Sequence, residues 1–221
     1  MSEKMSKKEL VKRYTLFIIS LFISALGIAI TKKGELGIPP VSSVSNILSL
    51  KFTAISFGNW LFIWNCVLIA GQVVIKRKRF EPIQLLQVPL SFLFGWFTDI
   101  GSKLVEFVNT DGYPVRLLCV IVGTVVLAFG IALSVIANVV MNSGEAFVKD
   151  LSDAVHKEFG NVKIFFDICC VITSVILSLI FFDFKILGIR EGTLIAAVCT
   201  GLVVKLFTRL MKKHIDKILR R

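Results

Sequence analysis

"GELGIPPVSSVSNILSL" (Gly34–Leu50) lies between two long apolar runs, and its reading decides what kind of fold the chain can form. A helix that crosses a bilayer needs roughly 20 mostly apolar residues. This stretch is too short and too polar for that, yet too patterned for a plain connector. Pro39 or Pro40 suits the first position of a helix, where no backbone N–H is required. Val41, Val44 and Leu48 then recur along one helical face. The expectation is an external amphipathic helix after the first span, a lid over the mouth of a bundle, with Pro39, Pro40, Ser42 and Ser43 as its working residues.

The bundle is predicted from what surrounds the lid. Of 221 residues, 55% are hydrophobic and 19% charged. A soluble domain carries about 25% charged residues, so this chain is short of polar surface. Six apolar windows stand out: Tyr14–Ile30, Phe52–Ile75, Pro82–Thr98, Leu117–Gly144, Ile164–Phe182 and Gly192–Phe207. They read as six transmembrane helices in a single all-α membrane domain.

The net charge of +11 is a matter of topology. With both termini cytoplasmic, 19 of the 26 basic residues fall in cytoplasmic segments, including "KRKR" (76–79), Lys163 and the tail from Lys205. That is the asymmetry of the positive-inside rule. Nucleic acid is therefore not expected as a partner, whereas membrane lipid is. The five cysteines fall inside apolar windows without C-x-x-C spacing and read as small hydrophobes.

The halves repeat. "ALGIAI" (25–30) matches "AFGIAL" (128–133) at an offset of 103, and "FGNW" (57–60) matches "FGNV" (159–162) at 102. Each half, about 12–108 and about 114–210, holds three spans. An odd number forces the second half to enter from the opposite face, giving two inverted three-helix repeats. In transporters such repeats place a substrate site near the midplane. The lid's counterpart is "NSGEAFVKDLSDAVHKEFG" (142–160), with Phe147, Leu151, Val155 and Phe159 spaced by four.

Polar groups at membrane depth tend to face a cavity or another helix. Gln84 and Gln87 share a face of the third span with Ser91, and Trp96 and Asp99 follow. Ser134, Asn138 and Asn142 form a stripe on the fourth span, and the second offers Asn59, Trp60, Asn65 and Gln72. These residues are the candidate substrate lining. In the first span Ser20, Ser24, Gly27 and Thr31 cluster on one side, which leaves Ala25 and Ala29 facing outward as a docking face for a partner helix. No P-loop, metal-binding constellation or nucleophile motif is present, so neither an enzyme, a metal nor a cofactor is expected.

"LGIPPVSSVSNILSL", "SFGNWLFIWN", "KRKRF", "PIQLLQVPLSFLFGWFTD" and "GIREGTLIAAVCTGLVV" resemble the YczE/YyaS/YitT group of bacterial integral membrane proteins. The resemblance runs from about Lys12 to Leu210 and implies a bacterial plasma membrane location. In size, span number and lid the chain also resembles an S-component, the substrate-binding membrane subunit of energy-coupling-factor (ECF) vitamin importers. That second resemblance implies ATP-driven uptake of a vitamin such as pyridoxine (vitamin B6), with a coupling protein and two ATPases as partners. The alternatives are a self-sufficient secondary transporter or exporter, with Asp99 or Asp167 as ion site, and a membrane scaffold.

Overall fold

The computed structural model describes residues 6–220; Lys4 and Arg221 of the basic count lie outside them. The described residues form eight α-helices: α1 (Lys7–Lys33), α2 (Pro40–Lys51), α3 (Phe57–Lys76), α4 (Gln87–Leu104), α5 (Tyr113–Ala137), α6 (Ser143–Val155), α7 (Phe159–Phe181) and α8 (Glu191–Arg220). A 3₁₀ segment, Pro82–Leu86, leads into α4. Among the described residues six helical stretches are long and apolar enough to cross a membrane, each overlapping one expected window. The other two, α2 and α6, have 12 and 13 residues. At 1.5 Å per residue they reach about 18–20 Å, well short of a hydrocarbon core of about 30 Å.

At the centre α1 and α5 run antiparallel. Contact needs glycine: a Cβ on Gly27 would lie 2.3 Å from the Leu127 backbone, and one on Gly130 2.3 Å from Ser24 Oγ. Ser20, Ser24 and Thr31 are buried beside them, so the small-residue stripe of α1 does face the bundle. Arg13, also buried, donates to the carbonyls of Ile136 and Ala137 at 3.2 Å and pairs with Asp216 at 3.3 Å. A cation at the C-terminus of α5 is the favourable partner for that helix dipole, and it gathers the ends of α1, α5 and α8. The α4 helix packs on α1, α8 on α5, and α3 on α4. Between α7 and α8 contact is at most marginal.

Three expectations are corrected here. Ala25 and Ala29 do not face outward: both are buried, with Ala29 against Gly101 of α4. Both positions fall where α4 packs on α1, and the apolar side chains that α1 leaves exposed, such as Ile18 and Ile19, lie nearer its start. The fourth span ends at Ala137, because Asn138 adopts a left-handed conformation (φ 51°), which asparagine tolerates better than most residues. Ser134, Asn138 and Asn142 therefore do not share one helical stripe. Finally, α2 is not an external lid. Pro40 and the run Ser42–Ile47 are buried, between α7 and α3. Burial of its polar side is possible because serine hydroxyls find acceptors at once. Ser43 donates to the Pro40 carbonyl at 2.6 Å, and Ser45 to the Trp60 carbonyl at 3.2 Å, so no unpaired donor is buried at either position. In α6, Phe147 and Leu151 pack inward as their spacing predicts, but Phe159 belongs to α7.

Candidate functional site

The two short helices meet end to end. Ser43 of α2 touches Ser174 midway along α7 (Oγ to Oγ 2.7 Å), while Lys51 reaches the Phe181 carbonyl at the end of α7. In the same way Gly144 of α6 lies by Leu68 midway along α3, and Asp150 pairs with Lys76 at the end of α3 at 2.8 Å. Each short helix thus starts at mid-depth and runs out towards opposite ends of the bundle. Their N-termini adjoin, a Cβ on Gly144 lying 3.2 Å from Val41 Cγ1. Helix N-termini carry about half a positive charge, so two such ends point into the middle of the membrane.

A cavity of about 530 Å³ opens at this junction. Its walls are apolar and aromatic, with Phe17, Leu61, Trp64, Phe94, Leu127 and Phe159 among them. The polar lining comes from Ser24, Ser42, Asn65, Gln87, Ser91, Asn142, Ser143 and Thr200, with Pro39 and Pro40 beside Ser42. Three charged side chains join them: Glu145 in the first turn of α6, and Lys163 and Asp167 one turn apart on α7. Lys163 and Asp167 form an i,i+4 ion pair whose side chains are 30% and 17% exposed. Glu145 makes no ion pair or hydrogen bond among the described residues, and Asn142, the residue preceding α6, makes no side-chain cap. Trp64 Nε1 and Thr200 Oγ1 are also without partners. A charged side chain at the bilayer centre costs about 2.5–3.5 kcal/mol on insertion scales. Such a group is kept where it does work.

Several predicted residues fall on the cavity and several do not. Asn65, Gln87 and Asn142 line it, as do Pro39, Pro40 and Ser42. Gln87, however, is committed to a reciprocal amide pair with Gln72 (3.0 and 3.1 Å), and Gln72 also donates to the Ser143 carbonyl at 3.2 Å. That network braces the start of α6. Ser43 is buried in the contact with Ser174. Asn59 is exposed on the outside of α3, Asn138 is exposed just past the end of α5, and Trp96, 56% exposed, faces outward into the lipid region. Trp60 packs against Phe52 with the rings tilted by 40° and 5.9 Å apart, away from the cavity. Gln84 lies in the 3₁₀ segment ahead of α4 and does not line the cavity. Ser134 is buried in α5 off the cavity. Asp99 accepts from Ser56 Oγ at 2.5 Å and from the Gly58 N–H at 2.8 Å. It closes the N-terminus of α3 and does not line the cavity.

Glu145 and Lys163 were missed among the candidate lining. Lys163 was assigned to a cytoplasmic segment, but α7 begins at Phe159 and carries it inside the bundle. The sequence signal was Asp167 in an apolar window with a lysine four residues before it, the spacing of a helical ion pair.

Among relatives, the uncharacterized membrane protein YczE of Bacillus subtilis (strain 168) is 24% identical over 201 residues, which covers 90% of this chain and 86% of that protein. This agrees with the YczE-like resemblance. No solved structure matches the chain. The family described as "Family of unknown function (DUF6198)" matches residues 11–209, nearly the whole bundle with both half-helices and the cavity between them, and the chain belongs to that family.

Proposed function

We propose that this protein is a membrane carrier that moves a small solute through the central cavity, with protonation or ion occupancy of the Glu145–Lys163–Asp167 group as the coupling event. The observation that carries the reading is the placement of these three charges where two half-helices meet inside a six-span bundle. The same site argues against a passive scaffold, because charges in a lipid-depth cavity are costly without a task. Two supports of the S-component reading are gone: the alanine face is buried and the first short helix is no lid.

Internal duplication supports alternating access. The sequence of elements long, short, long, long occurs twice. Gly27 meets Gly123 and Leu127, and Gly130 meets Ser20 and Ser24; adding 103 to one half's numbers gives the other half's in both pairs. The α2–α7 and α6–α3 packings exchange in the same way. Two inverted repeats account for these relations, and rocking one against the other would open the cavity first to one side and then to the other. The basic excess supports an orientation with both termini on the cytoplasmic side of a plasma membrane.

Proteoliposomes containing this chain alone, given an inward proton gradient, provide the test. Gradient-dependent uptake of a solute from a panel including pyridoxine and other B vitamins, lost in Glu145→Gln, is the expected result. Binding without uptake, rescued by ATPase partners, would return the reading to an ATP-driven capture subunit.

A further inference from the structure

We propose that the cavity binds a lipophilic organic cation, with Glu145 as its counter-ion and the opening between α7 and α8 as its entry from the bilayer. The inference deepens the carrier reading and rests on it for the direction of use.

The charge balance comes first. Lys163 is matched by Asp167, so Glu145 is the surplus charge among the side chains of the cavity. It stands in the first turn of α6, where the helix dipole favours a carboxylate. Burial works against its charge while the helix end and nearby Lys163 work for it, and its oxygens make no bond among the described residues, which leaves them free for a cation. A carboxylate so held selects a positive ligand.

The walls come second. Trp64, Phe17, Phe94 and Phe159 line the same cavity, and aromatic faces attract cations in desolvated sites. Apolar lining predominates, so the body of the ligand is apolar, and 530 Å³ is room for a drug-sized molecule.

The route comes third. In the first half, α3 and α4 are sealed where Gly58 and Gly95 meet backbone to backbone: a Cβ on Gly58 would lie 2.0 Å from the Gly95 carbonyl oxygen. In the second half, Gly160 of α7 and Gly201 of α8 have nothing within 4 Å. Gly201 lines the cavity, and Leu202 and Val198 beside it are 65% and 66% exposed. The cavity therefore meets the lipid region along the α7–α8 side, which suits a solute that partitions into the bilayer.

The test is equilibrium dialysis of tetraphenylphosphonium against the purified full-length chain in detergent, with tetraphenylborate as a ligand of the same shape and opposite charge. Saturable binding of the cation alone is expected, weakening as pH falls and protons compete for Glu145, and at least tenfold weaker in Glu145→Gln. Equal binding of tetraphenylborate, or unchanged affinity in a folded Glu145→Gln protein, overturns the proposal. Should that variant not fold, the wild-type pH profile decides, and a flat profile overturns it. Cation binding without transport by the reconstituted chain sinks the carrier reading alone. Transport of another solute with no cation binding sinks the site alone.

Discussion

Lys163 and Asp167 illustrate how one turn of helix sets a residue's role. Four residues apart on α7, they neutralise each other inside a cavity that the bilayer surrounds. Removing one partner strands the other, a loss of about 3–5 kcal/mol for a buried pair, whereas replacing both by apolar groups can be neutral. Thermal melts in detergent should therefore rank Lys163→Met well below wild type and the double variant Lys163→Met/Asp167→Leu above the single one. A double variant no more stable than Lys163→Met would show that the pair is not internally balanced. Asp167 was visible in the sequence as a charge in an apolar run. Glu145 was not, because its neighbours are small and polar and nothing local marks it as deep.

At the scale of elements, helix length was legible and helix depth was not. All six spans overlap their windows, and the proline-led stretch does begin a helix, with Pro40 in its first turn. Its place between α7 and α3 was invisible because an amphipathic pattern reads alike whether its polar face meets water or other helices. Three serines, Ser43, Ser45 and Ser49, each short enough to bond nearby carbonyls or a serine across the interface, make the difference. The alanines of α1 follow the same logic. Since Ala29 sits against Gly101, Ala29→Leu should destabilise the isolated protein by about 1–3 kcal/mol, as over-packing does. An unchanged melting temperature would restore the outward docking face.

For the whole molecule, orientation and assembly are the open consequences of topology. The described ends of α1 and α8 lie together, Arg13 pairing with Asp216, so the start of α1 and the end of α8 share one side of the bundle. A cysteine at Lys8 or Lys213 should react with a membrane-impermeant maleimide in inverted vesicles and not in intact cells, against a background of five native cysteines that all lie in spans. Labelling in intact cells would reverse the proposed orientation.

The sequence by itself determined the membrane class, the number of spans and the recurrence of motifs, because hydropathy and short repeats are properties of neighbouring residues. It also marked Asn65, Asn142 and the prolines of the first half-helix. Only the tertiary structure decided that the half-helices meet N-terminus to N-terminus, that Asp99 closes a helix, and that Glu145, Lys163 and Asp167 share one cavity. Those relations join residues from separate helices through packing. Helical periodicity says which residues share a face, but only the neighbours that close around it say whether the face meets lipid, protein or a solute.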